Sequence, residues 1–138
     1  MIRCLRFQHL EVAEPVGLPS GLEVMWSDDC DIQILGSSWW YIDLLINAST
    51  PSHIWPLTGV YASVDARERD HLWAELLRLG LWNTYPWLLC GDFNDIISNS
   101  EKLGGQYRGE WSFSSFRTFI TDGSFHDLGY IDYPYTLS

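Results

Sequence analysis

A change of hydrophobic period part-way along the chain restricts its fold more than any other feature. Residues 39–46 alternate, with Trp40, Ile42, Leu44 and Ile46 on one face and Asp43 on the other, which is the period-two signature of a strand. After a turn at Pro51, Ile54 to Tyr61 is extended, and Pro56 withholds one ladder donor, which predicts an edge or a bulge there. The period then becomes helical. Leu72, Trp73, Leu76 and Leu77 recur at helical spacing, Asp65 is placed as an N-cap with Glu68 three residues later, and Gly80 is placed as the stop. Pro86 to Cys90 is a short apolar run between turn signals and reads as a buried strand. Strands, a helix and a further strand in this order make a mixed α/β chain, class α/β (α+β).

The flanks fit the same plan. Gly17 to Gly21 reads as a turn, Leu22 to Trp26 as a short strand, Ser27-Asp28-Asp29 as a polar turn, and Asp31 to Leu35 as an alternating strand with Ile32 and Ile34 on one face. Residues 91–105 form a mostly polar loop. Phe113, Phe116 and Ile120 mark a second helix, started near Ser112 and stopped near Gly123. Short extended pieces are expected near Asp127-Leu128 and from Pro134 to Leu137.

Eight Trp, seven Tyr and six Phe in 138 residues supply enough apolar material for one packed domain, so wholesale disorder is excluded. A formal net charge of −10 counts against nonspecific adhesion to nucleic acid. Cys4, Cys30 and Cys90 are odd in number and far apart, which supports neither a disulfide framework nor a zinc site. Residues 1–14 lack the apolar stretch of a signal peptide, and no apolar run approaches the ~20 residues that span a bilayer. The expectation is an intracellular chain, in nucleus or cytoplasm, without membrane contact.

The chemistry-bearing motif is Gly91-Asp92-Phe93-Asn94, directly after the short apolar strand. It puts a carboxylate and a carboxamide at the carboxyl end of a strand, where α/β proteins bind ligands. Asp92 and Asn94, two apart, can point to one side if the chain stays extended. The carboxylate could orient a water or help to hold a hard cation, and the amide could donate to a phosphoryl oxygen. The same residues also suit a simple turn in which Asp and Asn cap backbone groups. Asp92 to Ile96 begins like a calcium loop, but Ile96 and Ile97 replace the required oxygen ligand and Gly. His9, His53, His71 and His126 show no metal-binding spacing, and neither a serine-hydrolase elbow nor a P-loop is present.

The ordered set is more specific than the motif. Gly59-Val60-Tyr61, the amphipathic helix with Trp73, residues 86–96 (P-W-L-L-C-G-D-F-N-D-I) and residues 101–105 (E-K-L-G-G) resemble the endonuclease/exonuclease/phosphatase superfamily. More narrowly, they resemble the endonuclease domain of plant LINE-type (non-LTR) retrotransposons. Residues 14–26, Ile42-Asp43, Phe113 with Phe116, Asp127-Leu128-Gly129 and residues 135–138 follow the same pattern. The resemblance implies a two-sheet β-sandwich flanked by helices in four layers. It also implies magnesium-dependent hydrolysis of phosphodiester or phosphomonoester bonds, with DNA as partner if the chain is active. By that resemblance Asp92 orients or deprotonates the attacking water and touches the metal, Asn94 holds that water or the phosphate, and Tyr61 places its hydroxyl near the phosphate.

The sequence also departs from the pattern. No Asn occurs before Asn47, so the family's N-terminal Asn and metal-holding Glu would precede residue 1, and its closing Asp-His pair would lie beyond Ser138. His126-Asp127 has the reverse order, and Ala62 and Val64 stand where the family has other residues after its Tyr. The chain is therefore expected to be a single partial domain, 1–138, descended from a retrotransposon-type nuclease and inactive alone. The alternatives are a working phosphoesterase completed by another segment and a noncatalytic interaction module.

Overall fold

The computed structural model describes residues 7–13, 21–47 and 54–129, and these group into two compact units. The first unit reaches to Ser63 and includes Trp82–Phe93. In it, β1 (His9–Ala13) and β2 (Leu22–Trp26) pair antiparallel as a two-stranded sheet. A four-stranded sheet has the order β3 (Asp31–Ser37), β4 (Tyr41–Asn47), β5 (Ile54–Tyr61), β6 (Leu88–Asp92). The first two pairings are antiparallel and β5–β6 is parallel. A parallel return needs a long crossover, and the intervening chain carries the helix predicted from its period.

The two sheets share a core. Ala13, with Leu22 and Val24, packs on Ile42 and Leu44, joined by Ile32, Ile34, Ile46 and Leu57. Ile42 and Leu44 are at most 1% exposed, and burying each such side chain stabilises by roughly 1.5–3 kcal/mol. The alternation expected for β4 does not survive intact, because Asp43 on its other face is buried too. Its neighbour in register on β5, Thr58, donates to it, so that face carries a polar contact instead of solvent.

Pro56 sits opposite Leu45, and the β5–β6 ladder begins only at Leu57 with Leu88. At Pro56 the strand thus has its partner on one side, as a residue without an N–H requires. The register shift of the sheet lies elsewhere, between Ile34 and Gly36 of β3.

The expectation of a buried strand at 86–90 needs correction. The strand is Leu88–Asp92, half-buried at its first two residues and exposed at its last three. It pairs only with β5, at the edge of the sheet that the described residues form.

The second unit comprises Val64–Leu81 and the described residues from Asn94 onward. Its helices are α1 (Ala66–Gly80) and α2 (Ser114–Asp122). The Asp65 carboxylate accepts from the N–H groups of Arg67 and Glu68, satisfying donors that a helix start leaves open. Leu72, Trp73 and Leu76 form the buried face of α1. The Trp73 ring lies 5.1 Å from Phe116 and 4.7 Å from Phe119, so an aromatic cluster joins the helices. A 3₁₀ turn, Glu110–Phe113, leads into α2, which places the helix start close to the Ser112 signal. No strand forms at Asp127-Leu128. Its Asp127 carboxylate instead accepts from Gly129 N at 2.8 Å, a local turn contact that competes with extended pairing. Residues 134–137 and 17–20 lie outside the described residues. No helix among the described residues is long and apolar enough to cross a membrane.

Candidate active site

Parallel pairing brings two of the singled-out residues to the same level. Tyr61 and Asp92 are register partners at the carboxyl ends of β5 and β6, and adjacent strands lie about 4.8 Å apart. Register partners project to the same face of a sheet. The pairing is locked beyond the strand ends, because Ala62 N donates to Asp92 O at 2.8 Å and Tyr61 N donates to Trp40 O at 2.8 Å. Asp92 is exposed and Tyr61 half-buried, so a carboxylate and a phenol stand side by side at a solvent-facing strand end.

Gly91 makes this approach possible. Its φ is +134°, and a Cβ there would fall 1.9 Å from Val60 O. No side chain fits, and only glycine adopts that backbone without strain. The glycine before the carboxylate is thus required by the neighbouring strand, whatever the chemistry.

Beneath this end, a polar chain crosses the sheet. Trp87 Nε1 donates to Thr58 Oγ1 at 2.8 Å, and Thr58 Oγ1 donates to Asp43 Oδ1 at 2.6 Å. Burial pushes the Asp43 carboxyl above the usual carboxylate range, and the Thr58 hydrogen bond offsets part of that rise. Desolvation likewise pushes the Cys90 thiol up, although the residue as a whole is exposed.

Asn94 opens the second unit. Its φ of 47° is left-handed, a conformation Asn tolerates better than most residues. The chain therefore does not stay extended at Asn94, the condition on which its same-side placement with Asp92 was expected.

Within the second unit, the next residue anchors a charge cluster that the sequence did not reveal. Asp95 is 4% exposed and accepts from Arg69 Nε at 3.2 Å and Arg108 Nη1 at 2.9 Å. It also accepts from its neighbour Ile96 N at 3.0 Å. Arg69, itself buried, donates to Val64 O at 2.8 Å. Asp95 is thus committed to two guanidinium groups, which disposes of the calcium-loop resemblance on geometry as well as on spacing.

Among the described residues no three His, Cys, Asp or Glu side chains gather as a metal site. A hard cation takes about six oxygens, with one or two carboxylates as the usual protein share. Asp92 alone lies at the bottom of that range, so the described donors do not by themselves build a resident site.

No individually curated protein matches the chain. A sequence model of the Endonuclease/Exonuclease/phosphatase family matches residues 4–136. Two sheets and two α-helices among the described residues agree with that match, and with nearly the whole sequence spanned, the chain belongs to the endonuclease/exonuclease/phosphatase family of metal-dependent phosphoester hydrolases.

Proposed function

We propose that this chain carries part of a phosphodiester-cleaving centre of the LINE-type retrotransposon lineage, and that by itself it does not turn over. The observation that carries the proposal is the level pairing of Tyr61 and Asp92 at the ends of two parallel strands. In this reading, Asp92 orients and deprotonates the attacking water, and the Tyr61 hydroxyl donates to a phosphoryl oxygen. Asn94 holds the water or the phosphate. The substrate is DNA; a magnesium ion, if bound, would supply charge neutralisation, with Asp92 as the described residue that would help to hold it.

The expected lack of turnover rests on the donor count among the described residues. One strand-end carboxylate leaves a divalent cation weakly held, and losing a group that stabilises developing charge costs roughly 100–1,000-fold in rate. The ordered motifs from Gly59 to Gly105 support the lineage, and the exposed position of Asp92 also favours a second reading in which another segment completes the centre.

Nicking of supercoiled plasmid with Mg²⁺ tests both. The chain, Asp92→Ala and Asn94→Ala are compared after each is shown to unfold cooperatively. The expected result is no nicking above background from the chain alone. Robust nicking that Asp92→Ala abolishes would overturn the inactivity, and a gain on adding a separate segment that bears a Glu and an Asp-His pair would establish completion by another segment.

A further inference from the structure

The sequence of β6 does little to fix its own register. It reads Leu-Leu-Cys-Gly-Asp, half-buried at the first two residues and exposed at the last three, so no period-two pattern tells one face from the other. Among the described residues it has a partner on one side only. Register nevertheless decides the candidate site, because a slip of one residue carries every side chain of a strand to the opposite face. Asp92 would then leave the face on which Tyr61 stands. Gly91 excludes some wrong registers, since a side chain brought to its place would meet Val60 O. That exclusion acts near the exit of the strand and leaves the entry to be held by something else.

The entry carries a specific tie. Trp87 immediately precedes β6 and lies two residues before Leu89, the register partner of Thr58, so all three share a face. On that face Trp87 Nε1 donates to Thr58 Oγ1 at 2.8 Å, and Thr58 Oγ1 donates to Asp43 Oδ1 at 2.6 Å. A hydroxyl has one proton. Thr58 directs it at Asp43 and meets the indole as an acceptor, so the contacts run in one direction, from Trp87 through Thr58 to Asp43. Thr58 is fully buried and Asp43 nearly so, and in such surroundings each hydrogen bond polarises the next. The far end is anchored, because Asp43 belongs to β4, which pairs with β3 on one side and β5 on the other. The three side chains thus fasten an edge strand to a strand held on both sides.

We propose that this tie is the register key of the candidate site, with Trp87 and Thr58 as positioning residues that hold β6 so that Asp92 stands level with Tyr61. Both act through the strand rather than on a substrate. Their purpose rests on the phosphodiester reading above, although the placement of Asp92 does not require turnover. A hydrogen bond suits this task because it weakens steeply once its distance and angle are lost, whereas the apolar contacts of Leu88 and Leu89 are non-directional.

Amide hydrogen exchange of the full chain tests the tie. Ala62 N donates to Asp92 O, so its exchange reports how often Asp92 leaves its seat, and Tyr61 N donates to Trp40 O, which reports the sheet without β6. Trp87→Phe keeps a ring and removes the donor. Ala62 should then exchange roughly 2- to 13-fold faster, the equivalent of about 0.5–1.5 kcal/mol for one hydrogen bond, while Tyr61 exchanges as in the parent. Thr58→Val should speed Ala62 at least as much, and Thr58→Ser, which keeps the hydroxyl, should restore the parent rate. Unchanged Ala62 exchange, equal acceleration of Ala62 and Tyr61, or a Thr58→Ser variant that behaves as Thr58→Val would each overturn the proposal. If Trp87→Phe does not fold, the two Thr58 variants decide in its place. Loss of the fold in both Trp87→Phe and Thr58→Val would also overturn it, because the contacts would then hold the core rather than the register. None of these readouts involves plasmid nicking, so the two proposals fail separately.

Discussion

Replacing Asp95 by Ala should unfold the second unit more readily than any other single polar substitution in it. The carboxylate is 4% exposed and accepts from two guanidinium groups, of which Arg69 is 8% exposed and Arg108 31%. Removing it takes from the buried Arg69 charge its carboxylate partner, while the Val64 carbonyl still accepts from it. Breaking a buried pair by removing one partner costs about 3–5 kcal/mol. With an m-value of about 2 kcal/mol/M in urea, the midpoint falls by roughly 1.5–2.5 M. Ellipticity at 222 nm reads the right event, because both helices belong to this unit. The loss should change little with added salt, since buried pairs are weakly screened. The exposed pair of Arg117 with Glu110 should by contrast contribute at most about 1 kcal/mol and fade as salt rises. Arg69→Met combined with Asp95→Leu removes the buried charge with the carboxylate, and should recover a large part of the loss. A loss below about 1 kcal/mol for Asp95→Ala, or no recovery in the double variant, would refute the claim that desolvated charge sets the magnitude.

Two further substitutions probe the first unit. Asp43 has its folded pKa raised by burial, so its neutral form favours the fold. That contribution is complete below the unfolded value of 3.8 and is lost as pH rises through the folded value. Asp43→Asn, which keeps an acceptor for Thr58, should therefore be more stable than the parent at neutral pH. The gap should close as pH falls toward 4, and urea midpoints at the two pH values check it. Gly91→Ala must place a methyl 1.9 Å from Val60 O in a left-handed backbone, and a loss of more than about 2 kcal/mol in thermal unfolding is expected.

What could be read in the sequence was what short-range physics writes into neighbouring residues. Asp65 and Glu68 announced α1 because capping acts over three residues, and Leu72, Trp73 and Leu76 fixed its buried face because a helix repeats every 3.6 residues. The strand at 88–92 was misjudged as buried for the same reason. Its apolar composition is local, but whether a strand is central or edge depends on partners far along the chain, and Leu88 has β5 on one side only among the described residues. The same-side placement of Asp92 and Asn94 was conditional on an extended chain, and the left-handed φ of Asn94 is a torsion that the spacing of the two letters does not announce.

The role of Asp95 could not be read from its neighbours at all. It binds Arg69, 26 residues earlier, and Arg108, 13 residues later, and neither spacing is periodic in any element. The motif Gly-Asp-Phe-Asn-Asp consequently divides its labour in a way its letters conceal. Gly91 admits the neighbouring backbone, Asp92 stands at the solvent-facing strand end, and Asp95 turns away from chemistry to hold guanidinium groups. Buried ion clusters are weak sources of net stability but effective at fixing one arrangement over its competitors. Through Arg108, this cluster fixes the loop that displays Tyr107 and Trp111. A substitution at Asp95 that leaves the helices folded should therefore loosen the loop before it loosens the core, and the Arg108 and Ser112 amides should exchange hydrogen ahead of the helical amides as urea is added to such a variant. If all exchange together, the loop owes its order to the unit as a whole rather than to the ion cluster.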